Sequence, residues 1–343
     1  MKVAVIGAGS WGTALANVLA DNRITTSLWV RRPELADKIK ESHENQDYLP
    51  GVKISEEIHI SVDLEEALYK ADMAVMVVPS HAMRAMAREI KKYLKYTQIV
   101  VSATKGLEIG SHHRMSQILM EELPERFKQN IAVLSGPSHA EEVIRRLPTT
   151  VVAASANKPV AESVQDVFMN YYFRVYTNPD ITGVELGGAL KNIIAICSGI
   201  SDGLGFGDNT RAALMTRGIA EITRLGVRLG ANPLTFAGLS GIGDLIVTCS
   251  SMYSRNRRAG MEIGRGKTVK EVVESTKMVI EGINTTKAAH LLSKQLEIEM
   301  PITEQAHAVL FEQKNPKEAV ACLMRREGKH EIEEVVFQKT FER

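Results

Sequence analysis

Val3-Ala4-Val5-Ile6 runs straight into Gly7-Ala8-Gly9-Ser10-Trp11-Gly12, and Thr13 to Leu19 follows as a helical stretch. A short unbroken apolar run reads as a buried strand. The three glycines therefore stand between a strand and a helix, the context in which Gly-x-Gly-x-x-Gly carries weight. Gly7 permits the tight turn, Gly9 lets the backbone approach a pyrophosphate, and Gly12 lets helix and strand pack closely. The N–H groups that open the helix then face an anion. This is the pattern of a dinucleotide site. Trp11, inside the loop, is either a core side chain or a lid over the cofactor. Lys2 and the apolar stretch to Ala20 superficially resemble a signal peptide, but the glycines punctuate it too regularly for one.

The next strand is Ser27 to Val30. Nineteen residues past Gly12, where an acid would grip the ribose 2′-hydroxyl, the chain has Arg31-Arg32-Pro33. Two cations there suit a 2′-phosphate, so NADP(H) is favoured and NAD(H) remains possible, with Glu34 close by. The alternative is a solvated pair at a loop start. Further along, Asp63 to Lys70 opens with a candidate capping box, Asp-x-x-Glu. Apolar strands at Met73 to Val78, Ile99 to Ala103, Ile131 to Leu134, Thr150 to Ala154 and Phe173 to Tyr176 alternate with helices at Ala82 to Leu94 and Ala140 to Ile144. Such alternation predicts a parallel sheet covered on both faces, with ligands at the carboxyl ends of the strands. Lys105 and Gly136 fall at those ends.

After about Asn178 the alternation stops. Helical stretches take over at Leu186 to Ile200, Thr210 to Leu229, Val269 to Ser275, Thr285 to Leu296 and Thr303 to Phe311. The expected architecture is an α/β Rossmann-type, mainly parallel sheet domain over residues 1–180, then an all-α domain over residues 181–343. Two glycine-rich joints, Gly203 to Gly207 and Gly238 to Gly243, follow no strand and are not second nucleotide loops. Asp208 reads as a helix N-cap. Arg325 to Arg343 reads as a final exposed helix or a frayed end.

From Leu186 to Cys197 the only polar side chains are Lys191 and Asn192, so the helix belongs in the interior. Lys191's helical neighbours Gly187, Gly188, Ile194 and Ala195 include no carboxylate. A buried ammonium finds a distant anion, titrates low, or snorkels to water. The functional reading is a general acid/base, and Gly187-Gly188 leave room for something to approach the helix. Asp244 is a cap, the missing counter-charge for Lys191, or a hydroxyl acceptor. Ser254-Arg255-Asn256-Arg257-Arg258 is a run of donors suited to a small anion, or a solvated basic loop. Glu281, after Met278-Val279-Ile280, is a cofactor contact, a turn residue or a cap.

The bulk numbers suit a globular enzyme. The 343 residues allow two cores, with 44% hydrophobic and 24% charged residues. A net charge of +1 gives no field that draws nucleic acid or membrane. No other stretch is expected to span a membrane. Three scattered cysteines fit a reducing, cytoplasmic setting without disulfides. No metal is expected, since the nine histidines show no ligand spacing.

Taken together, Gly-Ala-Gly-Ser-Trp-Gly-Thr-Ala-Leu-Ala, Ala-Thr-Lys-Gly-Leu-Glu, Leu-Ser-Gly-Pro-Ser-His-Ala-Glu-Glu-Val, Glu-Leu-Gly-Gly-Ala-Leu-Lys-Asn, Gly-Leu-Ser-Gly-Ile-Gly-Asp-Leu, Ser-Arg-Asn-Arg and Val-Ile-Glu-Gly, in that order, make the chain resemble the bacterial NAD(P)-dependent glycerol-3-phosphate dehydrogenases from end to end. The resemblance implies reduction of dihydroxyacetone phosphate to sn-glycerol 3-phosphate, which feeds phospholipid synthesis. It implies Lys191 as proton donor and acceptor. It implies Lys105, Gly136, Ser138, Asp244, Ser254, Arg255 and Asn256 as substrate contacts, with Asn192 and Thr248 of second rank. It implies Ser10, Trp11, Arg31, Arg32, Lys105, Ala140, Arg255, Val279 and Glu281 as cofactor contacts beside the three glycines; Arg31-Arg32 transfers least securely. Lys191 is expected to project toward the gap between the two halves of the molecule. A homodimer is compatible with the sequence, which does not fix oligomeric state. The competing readings are a related dehydrogenase of hydroxy or sugar acids and a nucleotide-sensing regulator without turnover.

Overall fold

The computed structural model describes residues 1–276 and 278–328. The chain divides into two compact units. The first comprises Met1–Glu108 and His113–Glu185, and the second comprises Ile109–His112 and the chain from Leu186 onward.

The first unit is built on eight strands. These are β1 (Lys2–Ile6), β2 (Thr25–Trp29), β3 (His59–Ser61), β4 (Met73–Met76), β5 (Ile99–Ser102), β6 (Ile131–Ser135), β7 (Thr149–Ala154) and β8 (Phe173–Asn178). They lie in the order β3-β2-β1-β4-β5-β6-β7-β8. The order reverses at β1, which pairs with both β2 and β4. In an open α/β sheet that reversal makes the crevice where ligands bind, and the glycine turn leaves the end of β1.

Helices α1 (Ser10–Asp21), α2 (Pro33–Ser42), α3 (Leu64–Leu68), α4 (Met83–Ile90), α5 (Met115–Glu122), α6 (Ala140–Val143) and α7 (Lys158–Phe168) complete the unit. The side-chain period of two sends alternate residues of β1 to opposite faces. Val3 and Val5 join a core with residues of α1, α2, α6 and α7, whereas Ala4 and Ile6 join a core with residues of α3, α4 and α5. Both faces of the sheet are therefore covered.

The expected parallel sheet needs one correction. β6 and β7 pair antiparallel, while every other neighbouring pair is parallel. A parallel connection needs a crossover long enough to return the chain to its starting edge. The only helix between β6 and β7 is the four-residue α6, so the chain simply turns back. Asp63 caps α3 as expected, accepting from Glu65 N at 2.8 Å. The reciprocal half of the capping box does not form, because Glu66 instead accepts from Ser61 Oγ.

The second unit is helical. α8 (Ile181–Gly203), which begins in the first unit, leads to α9 (Asp208–Arg228), α10 (Pro233–Phe236), α11 (Asp244–Ser250), α12 (Arg255–Gly264), α13 (Val269–Glu274), α14 (Glu281–Gln295), α15 (Pro301–Phe311) and α16 (Pro316–Met324). Ile196, Ile200, Ala259, Ile263, Val309 and Leu310 are among its core side chains. Asp208 is not the N-cap expected: Gly207 holds that position, and Asp208 opens α9 while pairing with Arg211 at 2.9 Å. The donor cluster at residues 254–258 is not a loop; Ser254 caps α12 and the rest form its first turn.

α8 also corrects the expectation about membrane-length stretches. With 23 residues it is long and apolar enough to cross a membrane, yet 94% of its most apolar window is buried inside the protein. Pro233–Ser250 passes the same test on length and composition with 44% buried, and it is broken into α10, a π-helical turn at Leu239–Gly243 and α11. Of the charged tail, Arg325 to Gly328 follow α16, and the remainder lies outside the described residues.

Candidate active site

In the first unit the three glycines have three distinct reasons. Gly7 has φ +121°, and a Cβ on it would lie 2.7 Å from Val77 O. A Cβ on Gly12 would lie 1.8 Å from Gly7 O, so only hydrogen fits where α1 meets the turn. A Cβ on Gly9 would meet nothing within 4 Å. That side is open to a ligand. No side chain caps α1, and its first turn carries no acid. Its leading N–H groups and the positive end of the helix dipole suit a phosphate. The residues present therefore fit the pyrophosphate of a dinucleotide.

The turn is braced from behind. Buried Asn45 donates to Ala8 O at 3.0 Å and to Thr13 Oγ1 at 2.8 Å. Sequence reasoning missed it, because a lone asparagine in a loop carries no local signal. Ser10 Oγ donates to Tyr48 O at 3.0 Å. Trp11 is half-buried and packs on the core, its ring 6.4 Å from Phe173, with Nε1 buried and without a hydrogen-bond partner.

Arg31 and Arg32 are exposed at the end of β2. Arg32 pairs with Asp47 at 2.8 Å and lies over the Tyr48 ring at 5.8 Å. Ala140 opens α6 and is buried.

Lys105, Gly136 and Ser138, distant in sequence, meet. Lys105 Nζ donates to Gly136 O at 3.1 Å, and Ser138 Oγ donates to the same oxygen at 3.0 Å. Gly136 has φ +142°, with Val151 Cα 2.9 Å from where its Cβ would be, so a side chain there is excluded twice over. Next to Lys105, Thr104 Oγ1 donates to Val78 O at 2.7 Å, which pins the end of β5 to the segment after β4.

The second unit holds the buried lysine. Lys191 is 6% exposed and Asp244 is 1% exposed. Lys191 Nζ donates to Asp244 Oδ1 at 2.5 Å and to Thr248 Oγ1 at 2.5 Å. Thr248 Oγ1 in turn donates to Asp244 O at 2.6 Å. The counter-charge reading of Asp244 is the one the fold realises. Gly187 makes this possible. A Cβ on it would lie 2.5 Å from Ser240 O, so the glycine lets the π-helical turn settle on α8 and deliver Asp244 to Lys191. The pairing sets the lysine amine directly against the Asp244 carboxyl. The adjacent Cys249 thiol is pushed up to about 12 by burial, so it stays protonated and is no competing nucleophile.

Around the start of α12 the predicted residues divide. Arg255 Nη1 donates to Val279 O at 3.1 Å, so two expected cofactor residues lie together. Asn256 Oδ1 accepts from Gly282 N at 2.9 Å, next to Glu281, which opens α14. Ser254 Oγ accepts from Arg257 N at 3.2 Å as the cap. Arg257 is buried and ion-paired with Asp202 at 2.7 Å, so it is not a free anion donor. Among the described residues no group of three or more potential ligands could hold a metal.

Family models match both parts of the chain. Residues 2–161 match the NAD-dependent glycerol-3-phosphate dehydrogenase N-terminus, and residues 180–321 match the C-terminus of the same family. The chain belongs to the NAD-dependent glycerol-3-phosphate dehydrogenase family.

Among its relatives in that family, the glycerol-3-phosphate dehydrogenase [NAD(P)+] of Pelotomaculum thermopropionicum is 58% identical over 97% of this chain and 96% of its own length. That of Bacillus cytotoxicus is 55% identical over 97% and 98%. The crystal structure of glycerol-3-phosphate dehydrogenase from Coxiella burnetii is 40% identical, with a TM-score of 0.90 over 95% of this chain and 99% of that one.

Proposed function

We propose that the chain reduces dihydroxyacetone phosphate to sn-glycerol 3-phosphate with a reduced nicotinamide dinucleotide, and so supplies glycerophospholipid synthesis. The observation that carries this reading is the buried Lys191, held by Asp244 and Thr248, in a chain of this family. Residues 1–180 carry the dinucleotide turn and residues 181–343 carry the catalytic lysine, and each part adds contacts to both ligands. Gly7, Gly9, Ser10, Trp11 and Gly12 hold the pyrophosphate side of the cofactor, and Lys105, Ala140, Arg255, Val279 and Glu281 contact it further along. Bound there, the reduced dinucleotide supplies the hydride. Lys191 gives its proton to the carbonyl oxygen as that oxygen gains charge, the work of a general acid. Lys105 adds positive charge that stabilises the developing alkoxide. Asp244 and Thr248 aim the ammonium. Arg255 and Asn256 hold the phosphate, with Gly136, Ser138, Ser254 and Asn192 as further contacts. That remote binding energy fixes the carbonyl for reaction.

Arg31 and Arg32 favour a 2′-phosphate and hence NADP(H), since both residues are exposed just past the end of β2. The chain acts in the cytoplasm, where free thiols persist. The test is to follow loss of reduced-cofactor absorbance with dihydroxyacetone phosphate, using NADH and NADPH side by side. Turnover with the phosphorylated ketone supports the reading, and faster turnover with NADPH supports the cofactor preference. No turnover with either cofactor would return the chain to a binding role.

A further inference from the structure

Arg257 stands inside the donor cluster at residues 254–258, yet its guanidinium is held by groups of the protein itself. Its Nε donates to Asp202 Oδ2 at 2.9 Å, its Nη2 lies 2.7 Å from the same oxygen, and its Nη1 donates to Ser250 O at 3.0 Å. Asp202 lies in the last turn of α8, and Ser250 is the last residue of α11. One buried guanidinium thus ties together α8, α11 and α12. These are the helices that carry Lys191, Asp244 and the Arg255-Asn256 pair. The fork of an arginine is suited to such a task, since its donors lie in fixed directions.

The packing of α8 on α12 gives that tie a consequence. A Cβ on Gly199 would lie 2.0 Å from Arg257 O, and one on Gly260 would lie 2.1 Å from Ile196 O. The backbones touch, so the distance between the helix axes has no slack. Gly264 meets Ile200 O at 2.4 Å by the same measure, which shows the two helices running in step in the same direction. One turn back along that step, Asn192 faces Asn256, and a Cβ on Gly282 would lie 2.7 Å from both Asn192 O and Asn256 Oδ1. With the separation closed, the remaining freedom is sliding along the axes. Arg257 blocks it by gripping Asp202 at the far end of α8.

We infer that Arg257 is a positioning residue that sets the spacing between the proton donor Lys191 and the phosphate anchor at Arg255-Asn256, and so selects ketones whose carbonyl and phosphate lie at that spacing. The inference rests on the roles proposed for those residues. It goes beyond them by giving the substrate-length requirement a structural cause outside the contact set. A misplacement of about 1 Å between anchor and acid is enough to lose on the order of 100-fold in rate.

The test compares two ketones with the same carbonyl, dihydroxyacetone phosphate and dihydroxyacetone, in the wild type, Arg257→Met and Arg257→Lys. The expected result for Arg257→Met is a loss of about 100-fold in kcat/KM for the phosphorylated ketone, with kcat/KM for dihydroxyacetone within about two-fold of wild type, since that substrate has no phosphate to misplace. Arg257→Lys keeps a charge on Asp202 but cannot also reach Ser250 O, and recovers part of the preference. An equal loss on both ketones, or no loss on either, overturns the inference. If Arg257→Met does not fold by its melting curve, Arg257→Lys carries the same comparison alone. A wild type without preference for the phosphorylated ketone would instead overturn the proposed phosphate anchor. A wild-type preference retained in a folded variant overturns only the positioning role.

Discussion

Lys191 Nζ and Asp244 Oδ1 lie 2.5 Å apart, both side chains are buried, and 53 residues of chain separate them. Such a pair contributes little when both partners are present but is expensive to break from one side, by roughly 3–5 kcal/mol. Asp244→Ala leaves a buried ammonium without its carboxylate, and both the melting temperature and kcat should fall. Asp244→Asn keeps the shape and a hydrogen-bond acceptor. It should recover only the part of the melting temperature that comes from shape and hydrogen bonding, while kcat stays at least about ten-fold low, because the charge that aims the acid is gone. Thermal melts and steady-state kinetics on the two variants check this.

The glycine turn separates packing from ligand approach. Gly12→Ala puts a methyl carbon where Gly7 O stands, 1.8 Å away, so the variant should lose both stability and cofactor binding. Gly9→Ala meets nothing within 4 Å. It should melt like the wild type yet raise the KM for the dinucleotide by at least about ten-fold, because its methyl lies on the side a pyrophosphate approaches. Equal effects of the two substitutions would contradict this division.

Removing the charges after β2 should act on one cofactor. Arg31→Ser with Arg32→Ser is expected to raise the KM for NADPH by about ten-fold or more and leave that for NADH nearly unchanged, since only NADPH carries the phosphate these cations suit. The NADPH effect should shrink at high salt, as exposed charges are screened. A parallel rise for both cofactors would assign the pair to general binding.

Glu221 gives the second unit a pH-dependent stability. Its carboxylate is 2% exposed and accepts from Ile302 N at 2.6 Å and from Thr303 N and Oγ1 at 3.1 Å. Burial pushes its pKa up to about 7 against the pull of those donors. The folded state therefore holds this proton more tightly than the unfolded chain does. The stabilisation is fully present below the ordinary glutamate value and is lost as pH rises through about 7. At most it amounts to about 3 kcal/mol. Melting curves from pH 4.5 to 7.5 should fall more steeply for the wild type than for Glu221→Gln. Identical slopes would mean that the carboxylate stays charged throughout. The carboxylates whose pKa is lowered, such as Glu122 at about 2 through its bonds to Arg88 and Arg84, act below that window and in the opposite direction.

What the sequence made legible is the chemistry that is local. The glycine turn, the strands around it and the buried run carrying Lys191 follow from neighbours a few residues apart. The partner of Lys191 does not. Asp244 sits in a stretch that suits a cap equally well, and nothing near it indicates which helix its carboxylate will meet. α12 was hidden for a different reason. Its buried residues are Asn256, Arg257, Ala259, Gly260 and Ile263, so the face it packs is mostly polar, charged or small, with one large apolar side chain, and shows no apolar period. The spacing of Gly199 with Gly203 and of Gly260 with Gly264 was the available clue to a close helix crossing. β3 escaped notice because it is three residues long and lies at the sheet edge, where a short polar segment still finds backbone partners.

The most direct test of the account is the turnover of Lys191→Ala with saturating dihydroxyacetone phosphate and reduced cofactor, alongside a binding titration of that cofactor. The account predicts a kcat at least ~100-fold below wild type with the cofactor still bound. A folded Lys191→Ala protein that turns over at near-normal rate would remove the lysine from the chemistry and contradict the central claim.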